Sequence, residues 1–404
     1  MRSGWPTKTL AEVCEVFADG DWIESKDQSP DGIRLIQTGN IGVGVFKNRG
    51  QKARHVSEDT FKRLRCTEIF EGDCLISRLP EPVGRSCLMP QAGERMITAV
   101  DCSIVRFNPK QLLPEFFNYF SQSCDYLTAV DARTTGTTRK RISRSRLGQT
   151  AIPVPSISEQ RRIVGMLDEE FEGIARAREN AEKNFRNARA VFESHLQSVF
   201  TQRREKRAVR PIGEVAKHSL GKMLDKAKNR GEPRPYLRNF NVRWFGFDLS
   251  DVLEMRFLPE EEAKYTAVKG DLLICEGGYP GRAAIWPSEE PVYFQKAVHR
   301  VRFHEPAHAK WFLYYLYAQD VSGKLKQHFS GTGIQHFTGE ALARYSFPLP
   351  PLAELQHFVE GFERLHAETR RLACLYERKI AALTELEQSL LHRAFSGQLG
   401  THAA

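Results

Sequence analysis

From Ser158 to Phe200 apolar or small residues recur on alternating steps of three and four, with no proline and two glycines. One seam takes in Val164, Leu167, Phe171, Ile174, Ala181, Phe185, Ala188, Phe192 and Val199, broken by Arg178 and His195. A stripe held over about five heptads predicts a long helix with a narrow seam. At about 1.5 Å per residue it would reach about 65 Å, well beyond an ordinary globular helix. Such a stripe needs a partner. A second one begins at Ala353, and every seam position lies 195 residues after its counterpart: Val359, Phe362, His366, Thr369, Ala373, Tyr376, Ile380, Leu383, Glu387, Leu390 and Ala394. Both helices close on matching phenylalanines, Phe200 and Phe395. The shared register favours an intramolecular coiled coil over two helices buried in separate bundles.

The repetition extends upstream. Gly136-Thr137-Thr138 recurs as Gly331-Thr332-Gly333, and Ile152-Pro153-Val154-Pro155 as Phe347-Pro348-Leu349-Pro350. Gly72-Asp73-Cys74-Leu75-Ile76 recurs as Gly270-Asp271-Leu272-Leu273-Ile274, and Val105-Arg106-Phe107 as Val301-Arg302-Phe303. Slightly drifting offsets fit loop insertions between two diverged copies of one unit. The expected order is a globular module (1–157), a long helix (158–202), a second module (208–352) and a second long helix (353–397). Each module should be mixed α/β (α+β). Residues 34–46 read as strand, turn and strand, with 236–249 in the equivalent place. The Gly-Asp segments lead into buried strands, and 114–123 and 309–319 read as helices with aromatic core faces. Prolines at 153, 155, 348, 350 and 351 force extended chain before each long helix, and Ser158 is the expected N-cap of the first. The basic linker 201–211 reads as a solvated hinge rather than a DNA contact.

Composition narrows the class. The 404 residues carry a net charge of +9, which leans toward a polyanionic partner. There is no uncharged apolar run long enough for a transmembrane helix, and the start of the chain lacks the apolar core of a secretory signal. Eight cysteines show no CxxC spacing, against both a zinc site and a disulfide framework. The expectation is a reduced, cytoplasmic protein with no membrane partner and no metal.

Catalytic constellations are missing. Gly277-Gly278-Tyr279-Pro280-Gly281-Arg282 is glycine-rich but lacks the lysine and hydroxyl of a phosphate loop. Asn108-Pro109-Lys110 lacks the aromatic with which an adenine methyltransferase stacks a flipped base. Pro259 to Lys264 reads as an acidic turn, and His304 and His308 as loop residues. The basic segments say more. Residues 132–146 hold Arg133, Arg139, Lys140, Arg141, Arg144 and Arg146 with no acid, beside Thr137 and Thr138. Residues 222–243 hold Lys222, Lys226, Lys228, Arg230, Arg234, Arg238 and Arg243 against Asp225 and Glu232. Arginine with asparagine or glutamine is the chemistry of base-edge reading, whereas lysine mostly positions on phosphates. The candidate DNA-binding set is therefore Asn40, Arg133, Thr137, Thr138, Arg139, Lys140, Arg141 and Arg144 in the first module. In the second it is Arg238, Asn241, Arg243, Gly333, Gln335 and His336.

The order of these motifs, twice over, resembles the DNA-specificity subunit of type I restriction-modification systems. The resemblance is carried by Leu10-Ala11-Glu12-Val13, Thr38-Gly39-Asn40-Ile41, Gly72 to Ser77, Gly136-Thr137-Thr138 and Ile152 to Ile163. In the second half residues 236–255, 270–278 and 390–399 carry it. It implies two tandem target recognition domains, each binding half of a split double-stranded DNA target. It also implies an antiparallel coiled coil that spaces them and docks two modification subunits. The chain itself would be non-catalytic and bind no cofactor. Modification subunits would bring S-adenosylmethionine and methylate adenine; restriction subunits, where present, would bring ATP- and Mg-dependent translocation and cleavage. Two departures are visible: Glu159-Gln160-Arg161 opens the first helix but Glu354-Leu355-Gln356 the second, and Ser156 stands where the second copy has Pro351. The competing classes are a coiled-coil scaffold without a DNA role and a stand-alone methyltransferase or nuclease with degenerate motifs.

Overall fold

The computed structural model describes residues 4–202, 208–225, 227–396 and 398. It divides into two units, Met1–Ala181 with Arg378–Ala404, and Glu182–Glu377. Each unit holds one module and one end of both long helices.

The first module has two four-stranded sheets. One runs Cys14–Asp19, Cys102–Phe107, Cys74–Ser77, Ser86–Leu88, antiparallel throughout. The other runs Gln28–Ser29, Arg54–Val56, Ile33–Ile36, Met96–Thr98, its last pair parallel. Thr7–Thr9 pairs with Ala151–Pro153 and ties the start of the module to its end. The second module repeats the plan with Ala216–Leu220, Val298–Phe303, Leu272–Cys275, Ala283–Ile285 as one sheet. Leu253–Phe257, Glu232–Leu237, Val292–Phe294, Thr266–Ala267 form the other, again with one parallel pair. Ala208–Pro211 pairs with Ser346–Leu349, so the end of the supposed hinge is the closing strand of the module; residues 203–207 lie outside the described residues.

The Gly-Asp motif has the same purpose twice. Asp73 and Asp271 are buried, and each accepts the backbone amide three residues before it, from Phe70 and Val268. Each also takes a bidentate guanidinium from the neighbouring strand, Arg106 at 2.7 and 2.7 Å and Arg302 at 2.7 and 2.6 Å. The segment 34–46 departs from expectation. After Ile36 the chain makes a tight turn at Thr38–Asn40, and the second strand shrinks to one bridge, Ile41 to Phe46. Gly42 donates to the Val45 carbonyl and folds the chain back before a ladder can form.

The long helices run Ile157–Gln202 and Leu352–Ser396. The first starts one residue before the expected boundary, and its cap is Ser156 rather than Ser158: the Ser156 hydroxyl accepts the Glu159 amide at 3.3 Å. In the first unit Ile163, Leu167 and Ile174 share a core with Leu390, Leu391, Ala394 and Phe395, with Val164, Phe171 and Leu383 packed against it. In the second unit Phe192, Leu196 and Phe200 share a core with Leu355, Val359 and Phe362, with Val199 against it. The beginning of each helix thus lies beside the end of the other, and the pair is antiparallel. All seam positions of the second helix, Tyr376 and Ile380 included, are buried or half-buried. In the first helix only His195 is exposed; Phe185 is half-buried. Full burial moves one position over at the ends, to Ile163, Leu196 and Phe200, because there the module covers the helix as well as the partner helix does. The charged interruptions of the two seams meet: Arg178 donates to Glu387 at 2.8 Å and to the Thr384 hydroxyl at 3.2 Å. Such a pair favours one register, since a slip would set each charge against an apolar neighbour.

The departure at the helix starts also has a local cause. Gln160 is fully buried; it accepts the Leu113 amide at 2.8 Å and donates to the carbonyls of Gln111 and Pro155. Leu355, at the same place in the second copy, is equally buried in an apolar contact.

Candidate nucleic-acid interface

Each module presents a hairpin at the end of its core. Thr135 bridges Arg141 in the first and Ser330 bridges His336 in the second, each through a pair of backbone hydrogen bonds of 2.8–2.9 Å. Gly136 and Gly331 make the turns, at φ +99° and +103°, and a Cβ on either would fall 2.4 or 2.3 Å from the carbonyl three residues on. Only glycine fits there. The tips hold Thr137, Thr138 and Arg139 in one module and Gly333 and Gln335 in the other, all exposed, together with Ile334. Exposed hydroxyls, amides and a guanidinium on a glycine-turned hairpin are suited to phosphate and base-edge contact.

The remaining cations are less free than their sequence suggests. Lys140 pairs with Asp131 at 2.7 Å, Arg141 with Asp101 at 3.0 Å, and Arg144 lies 3.9 Å from Asp19. Arg133 is spent on the Ala129 carbonyl at the end of a helix. In the second module Arg238 pairs with Asp251 at 2.7 Å, Arg243 with Asp248 at 3.3 Å, and His336 Nδ1 lies 3.2 Å from Glu276. These pairs are exposed on at least one side, so each is weak and can open toward a phosphate. Lys222 is different: it is buried between Glu261 and the Arg256 carbonyl and belongs to the core. Lys226 lies outside the described residues.

Asn40 and Asn241 are corrections. Both are buried, and their side chains hold equivalent turns. Asn40 accepts the Gln37 amide and donates to the Lys47 carbonyl, both at 3.0 Å. Asn241 accepts the Arg238 amide and donates to the carbonyls of Asp248 and Asp251, all at 2.9 Å. A side chain with its donor and acceptor spent inside the fold reads no base.

The structure adds one basic group to the candidates. Arg49, Lys52 and Arg54 line a cavity of about 630 Å³ beneath the Gln37–Asn40 turn. Their signal lies in residues 46–55, which carry Lys47, Arg49, Lys52 and Arg54 with no acid, a density like that of 132–146.

Among the described residues no group of three His, Cys, Asp or Glu side chains is placed to hold a metal ion, and no helix is long and apolar enough to cross a membrane. All eight cysteines are free thiols. Burial tunes four histidines of the second unit. His218, His299, His308 and His366 are all held below the ordinary imidazole range by desolvation. In the unfolded chain these rings take up protons as the pH falls through about 6.5, whereas the folded unit resists. The stability they contribute is therefore complete above about pH 6.5 and falls as the pH drops toward their folded values. Asp320, raised by burial, acts in the opposite sense closer to the carboxylate range. We expect hydrogen exchange, corrected for intrinsic rates, to show the second unit losing protection between about pH 7.5 and 5.5. Equal protection of 208–377 at both values would contradict this.

A family model described as the type I restriction modification DNA specificity domain matches the chain twice, at residues 2–182 and 205–375. Two solved structures align with nearly all of it. One, described as "Structural basis underlying complex assembly and conformational transition of the type I R-M system", has a TM-score of 0.80 at 20% identity over 99% of both chains. The other, the HsdS subunit from Thermoanaerobacter tengcongensis, has a TM-score of 0.57 at 20% identity, over 99% of this chain and 98% of that one. At that identity the likeness establishes the fold. No curated protein matches the sequence.

Proposed function

Because the chain belongs to the family of type I restriction modification DNA specificity domains and carries two copies of that domain, we propose that it reads a bipartite double-stranded DNA target, one half per module. The observation that carries the proposal is the doubled module, each copy ending in an exposed, glycine-turned hairpin of the same construction. The chain acts without chemistry of its own. It binds no cofactor, and the paired helices dock two modification subunits that use S-adenosylmethionine to methylate adenine. Where restriction subunits join, they supply the ATP- and Mg-dependent steps. Both long helices take part in the core of each reader, so the two readers share the same pair of helices. The setting is the cytoplasm, where the target DNA is.

The test is anisotropy titration of the full chain with duplex DNA at several salt concentrations. The wild-type protein should bind with a steep salt dependence. Arg139→Ala/Lys140→Ala/Arg141→Ala should weaken binding and flatten the log–log slope by about one for every phosphate no longer neutralised. No binding at low salt, or an unchanged slope in the triple variant, would favour the scaffold reading. Methyl transfer by the isolated chain would favour the enzyme.

A further inference from the structure

We propose that the cavity lined by Arg49, Lys52 and Arg54 is a phosphodiester seat of the first module, a second DNA contact separate from the hairpin. The inference rests on the DNA-reading function proposed above and deepens it. Its first support is charge without compensation. Among the described residues none of these three side chains has an ion pair, whereas Arg34, Arg63, Arg95 and Arg106 of the same module each have one. No carboxylate lines the cavity. Three cations around one concavity repel one another, and an anion placed among them relieves that repulsion.

The second support lies under the same turn. Arg85 is 8% exposed, yet its guanidinium meets only carbonyls: Thr38 at 2.9 Å, Ile41 at 2.8 Å, Leu79 at 2.7 Å and Pro82 at 3.0 Å. With no acid beside it, its charge adds to the field at the turn from behind. The third support is a shape that only glycine allows. A Cβ on Gly39 would fall 2.3 Å from an Arg49 guanidinium nitrogen, so the end of the arginine rests against the turn in space that residue 39 leaves free.

The second module has the same turn and lacks the seat. The carbonyl that Asn40 binds belongs to Lys47, and the corresponding one for Asn241 belongs to Asp248. Arg54 pairs with Leu35 at the strand position where Leu253 pairs with Tyr236. The arginines there, Arg238 and Arg243, have carboxylates of their own. The contact therefore belongs to the first half of the target alone.

Gly39→Ala provides the sharpest test, because it changes no charge. Residue 39 is not at a positive φ, and the clashing atom is the free end of a flexible side chain, so the turn should fold with Arg49 displaced. The probe is a duplex carrying no specific site, titrated against the full chain by anisotropy from about 0.05 to about 0.3 M salt. Arg49→Ala/Lys52→Ala/Arg54→Ala should lower affinity about eightfold at about 0.1 M salt, and flatten the slope by about 0.9, for every phosphate the cavity no longer neutralises. Gly39→Ala should shift both in the same direction by less. Lys62→Ala/Lys110→Ala/Lys183→Ala, which removes equal charge elsewhere, should leave the slope as it is. If the slope of the cavity triple variant matches wild type while the hairpin triple variant's slope falls, the seat is refuted and the DNA-reading function stands. If wild-type protein shows no salt-dependent binding at all, that function fails first. Inorganic phosphate binding that disappears in the cavity variant, with the DNA slope unchanged, would make the cavity a free-anion site and overturn the proposal.

Discussion

Replacing Phe362 with alanine should lower the stability of the second unit by about 3–5 kcal/mol, the range for emptying a buried aromatic site. Phe362 is fully buried on the seam of the second long helix. Its ring lies 5.7 Å from Phe200 of the first helix, 5.2 Å from Tyr314 and 6.1 Å from Trp311, centroid to centroid. One side chain thus joins the partner helix and the Ala307–Val321 helix of the module. Removing it opens a void that neither helix can close without moving the other, and close-packed interiors relax only in part. Denaturant-dependent hydrogen exchange of the Ala307–Val321 helix in the full chain reads the effect directly. A loss below about 1 kcal/mol would mean that the helix pair and the module are not packed through this residue.

Asp73→Ala and Asp271→Ala should each cost about 2–4 kcal/mol in their own unit. Either change removes a bidentate carboxylate from a strand arginine and the acceptor of a backbone amide in a single step. Asn at either place keeps the shape and one acceptor, so Asp73→Asn and Asp271→Asn should cost clearly less than alanine. Because the two sites lie in separate units, their effects should add. Equal costs for Asn and Ala would show that the charge alone matters, and strong coupling between the sites would show that the repeats do not fold as separate cores.

These two sites also mark how far the amino-acid pattern reaches. The seam of the second helix is legible at every position because a narrow heptad stripe has one solution when its partner has the same period. At the helix ends the pattern misleads by one place, from Val164 to Ile163 and from Val199 to Phe200, since the second covering layer there is the module, which no heptad count records. Ser158 stands before an apolar run as a cap should, but Ser156 is the cap because its hydroxyl accepts the free Glu159 amide. The repeat itself is plain from Gly-Asp, Gly-Thr and Pro-x-Pro segments, whose backbone needs admit few substitutes.

The interface is harder to read. A basic run tells how many cations are present but not which acids the fold brings to them, so Lys140, Arg141, Arg238 and Arg243 look freer in sequence than they are. Asparagines beside arginines suggest base reading, yet the same residue type is the natural brace for a tight turn, and Asn40 and Asn241 brace turns. The cluster Arg49, Lys52 and Arg54 is scattered over six positions, and only the folding of the chain around the Gln37–Asn40 turn brings it to one concavity.

If two modules each read half of one DNA target for a partner that methylates it, the pattern of methylation records both halves. The most direct measurement is a methylome. The chain is co-expressed with its neighbouring modification subunit in a host free of methylation, and modified adenines are mapped by single-molecule sequencing. One split motif is expected, two short halves separated by a fixed gap. A continuous motif, or no motif from a properly assembled complex, would contradict it.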